Sequence, residues 1–370
     1  MNDQQYDSAQ APVKSDTDIY KCPSCGGEMA FNPKAQVLQC SFCGTNASVE
    51  VEMRPIRDYD LNSADDAANV NWGTLKRVFH CNNCGAESVI DANATAQFCA
   101  FCGSSHIVKN EDAAGIAPEG LIPFKVAKNA AEDNFNKWIK KRFFAPSALK
   151  STYSKQSISG AYIPFWAYNT DTQSSYTAEA GTHYNETEYV TVQKEGKAVR
   201  EQKQVRKTNW RRVNGNFSRS FRDSLVNASK QIKGSILSRV EPFNLKELVP
   251  YAPGFLAGFL AEKYSIGLRD GWEEAKKKID RDIESGIESH IGADEVRSLA
   301  INTSYQNTRY KYLLLPVWIS SYTFNNKIYH FMVNGQTGKV SGESPVSAAK
   351  VIGLIAAIAA GIALLVILFS

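Results

Sequence analysis

The sequence has no G-x-x-x-x-G-K-[ST] stretch, and Gly335-Gln-Thr-Gly-Lys339 is too short to cradle phosphates. It has no H-E-x-x-H helix for a catalytic zinc and no G-x-S-x-G elbow for a serine nucleophile. His183, His290 and His330 stand in unrelated contexts with no nucleophile partner beside them. These absences exclude nucleotide-driven, zinc-protease and serine-hydrolase chemistry of the familiar kinds, and the expectation is a protein that is not an enzyme. Charge of one sign is also lacking. A formal net charge of +4 over 370 residues is too small to make nucleic acid the main partner on charge alone. The opening MNDQQYDSAQAPVKSDTD carries no apolar h-region, so nothing in it marks the chain for export. No cysteine stands outside a C-x-x-C pair.

What is present is 43% hydrophobic and 22% charged residues, ordinary globular material with length for two or three folding units. The eight cysteines fall into an internal repeat. YKCPSCGGEMAFNP…LQCSFCGTNASV overlays FHCNNCGAESVIDA…QFCAFCGSSHIV, so that Cys22, Cys25, Cys40 and Cys43 match Cys81, Cys84, Cys99 and Cys102. Each unit is CxxC-x14-CxxC. Two such knuckles present four thiolates to one tetrahedral zinc, and the glycine after each knuckle (Gly26, Gly44, Gly85, Gly103) permits the positive φ that ends the turn. With little apolar material in either unit, the metal must supply most of the folding free energy. Two structural Zn2+ ions are expected, since four thiolates leave no open position for a reacting water. A redox dithiol does not fit, because neither unit has a βαβ pattern. His80 and His106 lie near knuckles whose ligand sets are complete without them.

Around the repeat the chain divides as follows. Residues 1–19 are polar and read as a disordered leader, 20–50 as zinc ribbon 1, 51–78 as a linker, 79–109 as zinc ribbon 2 and 110–120 as a second linker. An α/β body occupies 121–345. It starts with a helix in which Asn129 and Glu132 form a capping box, Ala131, Phe135, Trp138, Ile139 and Phe143 recur at helical spacing, and Pro146 is the stop. Lys137, Lys140, Lys141 and Arg142 fill its other side, a solvated face or a surface for phosphates or lipid headgroups. After AYIPFWAY, the segments TQSSYTAEAGTHY and EYVTVQ alternate as strands do.

Gly196 then turns a hairpin whose basic residues are Lys194, Lys197, Arg200, Lys203, Arg206, Lys207, Arg211 and Arg212. A solvated edge, a membrane-surface contact and a nucleic-acid contact all remain open for them. PGFLAGFLA is too short to span a bilayer and reads as a buried turn-helix segment. Trp272, Ala275, Ile279, Ile283, Ile287 and Ile291 mark a long amphipathic helix with a narrow stripe. From Tyr310 the chain reads as strand, turn at Asn325-Asn326, strand, turn at Asn334-Gly335, strand. Leu313-Leu-Leu-Pro-Val-Trp318 echoes Tyr162-Ile-Pro-Phe-Trp166 and suggests two core strands, each with a proline at an edge or bulge.

Residues 348–369 carry one charge, Lys350, and none from Val351 onward. At about 1.5 Å per residue that uncharged run covers roughly 28 Å as a helix, one bilayer crossing. Cysteines kept as metal ligands favour a reducing compartment, so the expected topology is a single-pass anchor in the cell membrane with the soluble part cytoplasmic. The fold class is then α+β: two small tandem zinc ribbons, a mixed α/β body with antiparallel sheet, and one C-terminal transmembrane helix.

The CxxC units, GLIPFKVAKNAAEDNFNKWIKKRFFAP, GAYIPFWAYNTDTQSSYTAEAG, PVWISSY and VNGQTGKVSGE together resemble a bacterial family of zinc-ribbon membrane proteins, often labelled primosomal or replication-restart helicase-like. The sequence has no nucleotide loop to match that label. The resemblance implies a membrane anchor for partners in envelope stress, either SPFH/flotillin-like proteins or phage-shock coiled-coil proteins, in a hetero-oligomeric assembly. The expected function is a membrane scaffold that recruits such a partner, with a membrane-tethered nucleic-acid-binding ribbon protein as the alternative.

Overall fold

The computed structural model describes residues 13–14, 20–64, 76–81, 87–91, 107–110, 116–146, 158–194, 197–232, 234–324 and 327–369. Strand β1 (Val13–Lys14) pairs antiparallel with β2 (Tyr20–Lys21); the rest of residues 1–19 lies outside the described residues. The first cysteine unit is a three-stranded antiparallel sheet of β3 (Met29–Asn32), β4 (Val37–Cys40) and β5 (Asn46–Ala47). Met29, Phe31, Leu38 and Ala47 are its small buried core.

The segment taken as a linker is docked in its described part. Strand β6 (Tyr59–Asp60) pairs with β15 (Glu295–Phe324) through Tyr59↔Tyr310 and Asp60↔Arg309, and Leu61 is buried beside them. Lys311 is buried between Asp58 and Asp223, at 3.0 and 2.5 Å, which ties the same segment to the body. Two paired residues are too short a strand to leave a readable alternation, which is why the sequence shows only a tether here.

Beyond it, β7 (Lys76–Cys81), β8 (Glu87–Asp91) and β9 (Ile107–Asn110) form an antiparallel set. It joins the body sheet where β8 meets β14 (Leu260–Glu262). The body is built on two long antiparallel strands, β11 (Ser159–Lys194) and β15, with β12 (Lys197–Asn227) on the other side of β11. Strands β10 (Gly120–Leu121), β13 (Val249–Pro250), β16 (Lys327–Asn334) and β17 (Val340–Gly342) complete it.

Alternation along β11 and β15 builds two cores. Tyr162, Trp166, Tyr168, Tyr312 and Leu314 face one side; Ala161, Ile163, Phe165, Leu313, Leu315 and Val317 face the other, against α2 (Gly234–Val240). A sheet buried on both faces explains why LLLPVW reads as a continuous apolar run. The two prolines occupy equivalent places. Pro164 sits where the outer neighbour of β11 changes from β14 to β12, and Pro316 where that of β15 changes from β10 to β16. Their carbonyls accept from Ala228 and Gly335, on the outward side, so each missing N–H falls at a gap between neighbours.

Helix α1 spans Lys128–Lys140 and buries Ala131, Phe135 and Ile139. The expected capping box is not made. Ala127 is the N-cap, with no side-chain bond, because the helix starts before Asn129, whose Oδ1 instead accepts from Ala130 N–H. The helix also ends ahead of Pro146, so Phe143 lies outside it and is 66% exposed. PGFLAGFLA forms a 3-10 turn at Pro253–Leu256 and leads into β14.

Helix α3 (Leu268–Ile291) lies on β11 and β12 with Trp272, Ala275, Ile279, Ile283 and Ile287 buried. Under it the strands carry Thr172, Ser174, Tyr176, Ala178 and Ala180, while Gln173, Ser175 and Thr177 face outward and are exposed. Gly292 closes α3 with φ 61° and the chain returns as β15 opposite Gly181. Past that pair β11 and β12 continue alone, down to Lys194↔Lys197. This is the hairpin expected around Gly196, which itself lies outside the described residues. Finally, α4 (Ala348–Phe369) is long and apolar enough to cross a membrane and is unburied.

Candidate metal centre

The local sequence makes two matching knuckles. In the first, Gly26 N–H donates to Cys22 O at 2.9 Å and Cys22 N–H to Gly27 O at 2.7 Å. In the second, Gly44 N–H donates to Cys40 O at 3.0 Å and Cys40 N–H to Thr45 O at 2.9 Å. Gly26 and Gly44 close the two turns at φ 70° and 76°, a region in which a Cβ would be costly. Strand β4 delivers Cys40 against Met29, and the antiparallel sheet brings the knuckles together.

The four Sγ atoms of Cys22, Cys25, Cys40 and Cys43 lie within 4.8 Å of one another. Cys22 and Cys43 are 3.4 Å apart, and Cys25 and Cys40 3.6 Å. A tetrahedron with Zn–S near 2.3 Å has sulfur–sulfur edges of about 3.8 Å, so a small outward adjustment of the thiols accommodates the ion. The group could hold a metal ion. Its electrostatics favour ligation. Burial pushes the Cys22 thiol up, but backbone hydrogen bonds at Cys25 and Ser24 and the Cys43 sulfur outweigh it and bring it to about 6. Cys43 is lowered by Thr45, whose Oγ1 lies 3.1 Å away. The Gly27 backbone lowers the Cys25 thiol, yet the Cys43 and Cys40 sulfurs drive it up to about 12. A divalent cation at the centre would bind the four sulfurs as thiolates, so its binding would release protons.

This unit is fixed to the body. Phe31 packs edge-on to Phe255 at 5.2 Å, Phe31 N–H donates to Ala257 O at 3.0 Å, and Gln36 Nε2 donates to Phe124 O at 2.7 Å. The second cysteine set is described only in part. Cys81 is buried at the end of β7, while Cys84, Cys99 and Cys102 lie outside the described residues.

The basic hairpin residues do not make one patch. Alternation puts Lys203 and Lys207 on the face of Glu186 and Glu188, and Lys207 Nζ sits 2.6 Å from both carboxylates, which raise its pKa. Arg200 and Arg206 fall on the opposite face. The Arg206 guanidinium and His183 Nδ1 are hydrogen-bond partners, and His183 Nε2 lies 2.7 Å from Glu295 Oε1. Arg211 and Arg212 are exposed on opposite faces of β12, across from Ala180 and Glu179. Of Lys194 and Lys197 the structure gives the backbone pairing alone.

Sequence reasoning missed a cleft of ≈ 620 Å³ between residues 52–64 and 116–119. Its one buried carboxylate, Glu119, accepts from the Arg54 guanidinium, from Arg57 N–H at 2.9 Å and from Tyr59 OH at 2.8 Å. With every oxygen engaged, Glu119 staples the inter-ribbon segment to the sheet. No alternation in residues 54–60 signals it in the sequence.

A cysteine-knuckle unit docked on a mixed α/β body defines the class: an α/β protein with a four-cysteine cluster that could hold a metal ion and, among the described residues, one helix long and apolar enough to cross a membrane. By sequence, the chain belongs to the family of the uncharacterized protein YdjG of Bacillus subtilis (strain 168), to which it is 33% identical over 347 residues, covering 92% of this chain and 94% of that protein. No family model matches the chain. No solved structure matches it.

Proposed function

We propose that the protein is a non-enzymatic scaffold, held by α4 at the cytosolic face of the cell membrane, that recruits a cytosolic partner there. The observation that carries this reading is the separation of anchor and arm. Helix α4 leaves the body beside the turn after α1, which packs on β16 through Phe135 and Phe331, level with Ser320 and next to Ile319. Ile319 faces Ser159, the first residue of β11, and the free arm is the far end of that strand. Over its 36 residues β11 has a contour of roughly 120 Å at about 3.3 Å per residue. A partner bound on the arm is thus concentrated at the membrane while held away from its surface.

The resemblance stated above points to SPFH/flotillin-like or phage-shock coiled-coil proteins as the partner. Zinc in both cysteine sets is the matching cofactor, two ions per chain, each structural. The division of the arm's charges between two faces, with Lys207 neutralised by Glu186 and Glu188, speaks for a protein partner over nucleic acid.

The test compares the full chain with a variant ending at Ser347, each purified from detergent-solubilised membranes and from the soluble fraction, with zinc quantified on the same samples. The expected result is that the partner follows the full chain into membranes and stays soluble with the truncated one. Delivery of the partner to membranes by the truncated chain overturns the reading.

A further inference from the structure

The turn between α1 and Pro146 stands where α4 begins. Lys350 Nζ, in the first turn of α4, donates to Ala145 O at 2.7 Å and Phe143 O at 3.2 Å, and Ser347 N–H donates to Phe144 O at 2.8 Å. The end of α1 is therefore fixed at the base of the apolar helix. From Asn134 to Pro146 the sequence holds Lys137, Lys140, Lys141 and Arg142 and no acid. All four are exposed, and beside them Phe143 is 66% exposed. The opposite side of α1 is immobile: Ala131, Phe135 and Ile139 are at most 1% exposed, and Phe135 packs on Phe331 at 3.7 Å. Arg142 lies over the Trp138 ring at 4.4 Å, which positions its guanidinium.

We infer that this basic turn binds the headgroups of anionic phospholipids, with Phe143 inserted among the acyl chains. The inference rests on α4 spanning a bilayer, as in the function proposed above. The occupant follows from two features. Four exposed cations on the end of α1 and the turn after it, with no acid among residues 134–146, attract phosphate, with about 1 kcal/mol for each basic residue near an anionic surface. An exposed phenylalanine beside an unburied apolar helix suits the boundary between headgroup and hydrocarbon, and a soluble phosphate ligand would leave it in water. Lys350, bound to carbonyls at the same level, is kept out of the hydrocarbon.

The experiment uses the full chain in mild detergent, melted in the presence of phosphatidylglycerol or phosphatidylcholine. The same chain is reconstituted into vesicles of phosphatidylcholine alone and of phosphatidylcholine with phosphatidylglycerol. It is compared with K137Q/K140Q/K141Q/R142Q and with Phe143→Ser. The wild type is expected to be stabilised saturably by phosphatidylglycerol and not by phosphatidylcholine. The apparent affinity falls at least about tenfold in the quadruple variant and less in Phe143→Ser. All three proteins float with neutral vesicles, since α4 is intact, and melt alike without lipid. If they float but the wild type has no preference for phosphatidylglycerol, or the quadruple variant keeps it, the headgroup site is overturned. Competition by inorganic phosphate as effective as that by lipid overturns the lipid as occupant. Failure of the wild type to float removes the membrane span itself, and the site with it.

Discussion

Ser229 donates its hydroxyl to Glu262 Oε1 at 2.5 Å, a hydrogen bond enclosed between the end of β12 and strand β14. Glu262 is fully buried, and burial pushes its carboxyl up to about 8, with the Ser229 bond opposing only part of the shift. In the unfolded chain the same group titrates near 4.3. The folded protein thus holds a proton that the unfolded chain releases. The stability linked to this proton is complete below the unfolded value and is lost as pH rises toward about 8. The loss is on the order of 5 kcal/mol across that interval. Melting temperature measured from pH 5 to pH 9 should fall in the wild type, and the fall should flatten in Glu262→Gln, which keeps an acceptor for Ser229. A wild-type profile as flat as the variant's would refute this.

Removing the metal should unfold the first cysteine unit and leave the body. Chelation, or Cys40→Ser, takes away the tie between the two knuckles, and the core of Met29, Phe31, Leu38 and Ala47 is too small to hold the unit alone. Hydrogen exchange is expected to rise across 20–50 while α3 and β15 stay protected. Spread of the loss into α3 would show that the unit carries the body.

Lys311 should show the cost of leaving a charge alone. It is buried, and although burial lowers its pKa, Asp223 and Asp58 raise it further. Asp223→Ala leaves Lys311 with one partner at 3.0 Å and should cost about 2 kcal/mol. Lys311→Met removes the cation but strands two acids nearer the surface, a smaller loss. Urea denaturation of the two variants ranks them.

The buried stripe of α3 gauges how tightly the helix packs on β11 and β12. Ile283 is 0% exposed, and Ile283→Ala should cost about 2–5 kcal/mol. Equilibrium unfolding reads this directly.

These particulars show why the sequence is readable in some places and silent in others. The first cysteine set, the stripe of α3 and the apolar α4 carry strong one-dimensional signals, and each has its counterpart in the fold. The length of β11 and the early start of β15 do not. Under α3 the strands bury Thr170, Thr172 and Ser174 in place of larger apolar residues, satisfied by bonds such as Thr170–Thr308 at 3.0 Å and Ser174–Thr303 at 2.8 Å. The polar inner face leaves the alternation of TQSSYTAEAGTHY legible as a strand but gives no sign that it continues AYIPFWAY in one strand of 36 residues. Phe143 shows the opposite error. Spacing placed it on the buried stripe of α1, but the helix ends at Lys140 and the side chain turns to solvent.

Excising the free arm separates structural from binding roles. Pairing of β11 with β15 ends at Gly181↔Glu295, and the last side-chain ties at the root are His183 with Glu295 and with Arg206. Beyond the root the paired strands are covered by neither β15 nor α3, and a lone two-stranded ribbon adds little stability of its own. Joining Tyr184 to Lys207 by an Asn-Gly turn removes the arm, keeps the Tyr184↔Lys207 pair and supplies the backbone a tight hairpin needs. The shortened chain should melt within about 0.5 kcal/mol of the wild type, as surface changes do. It should still be found in membranes, because α4 is untouched. It should lose the protein that co-purifies with the full chain. Retention of that protein would move the recruiting surface to the body or the cysteine unit, and a large drop in stability would mean that the arm folds back on residues that the paired strands do not reach.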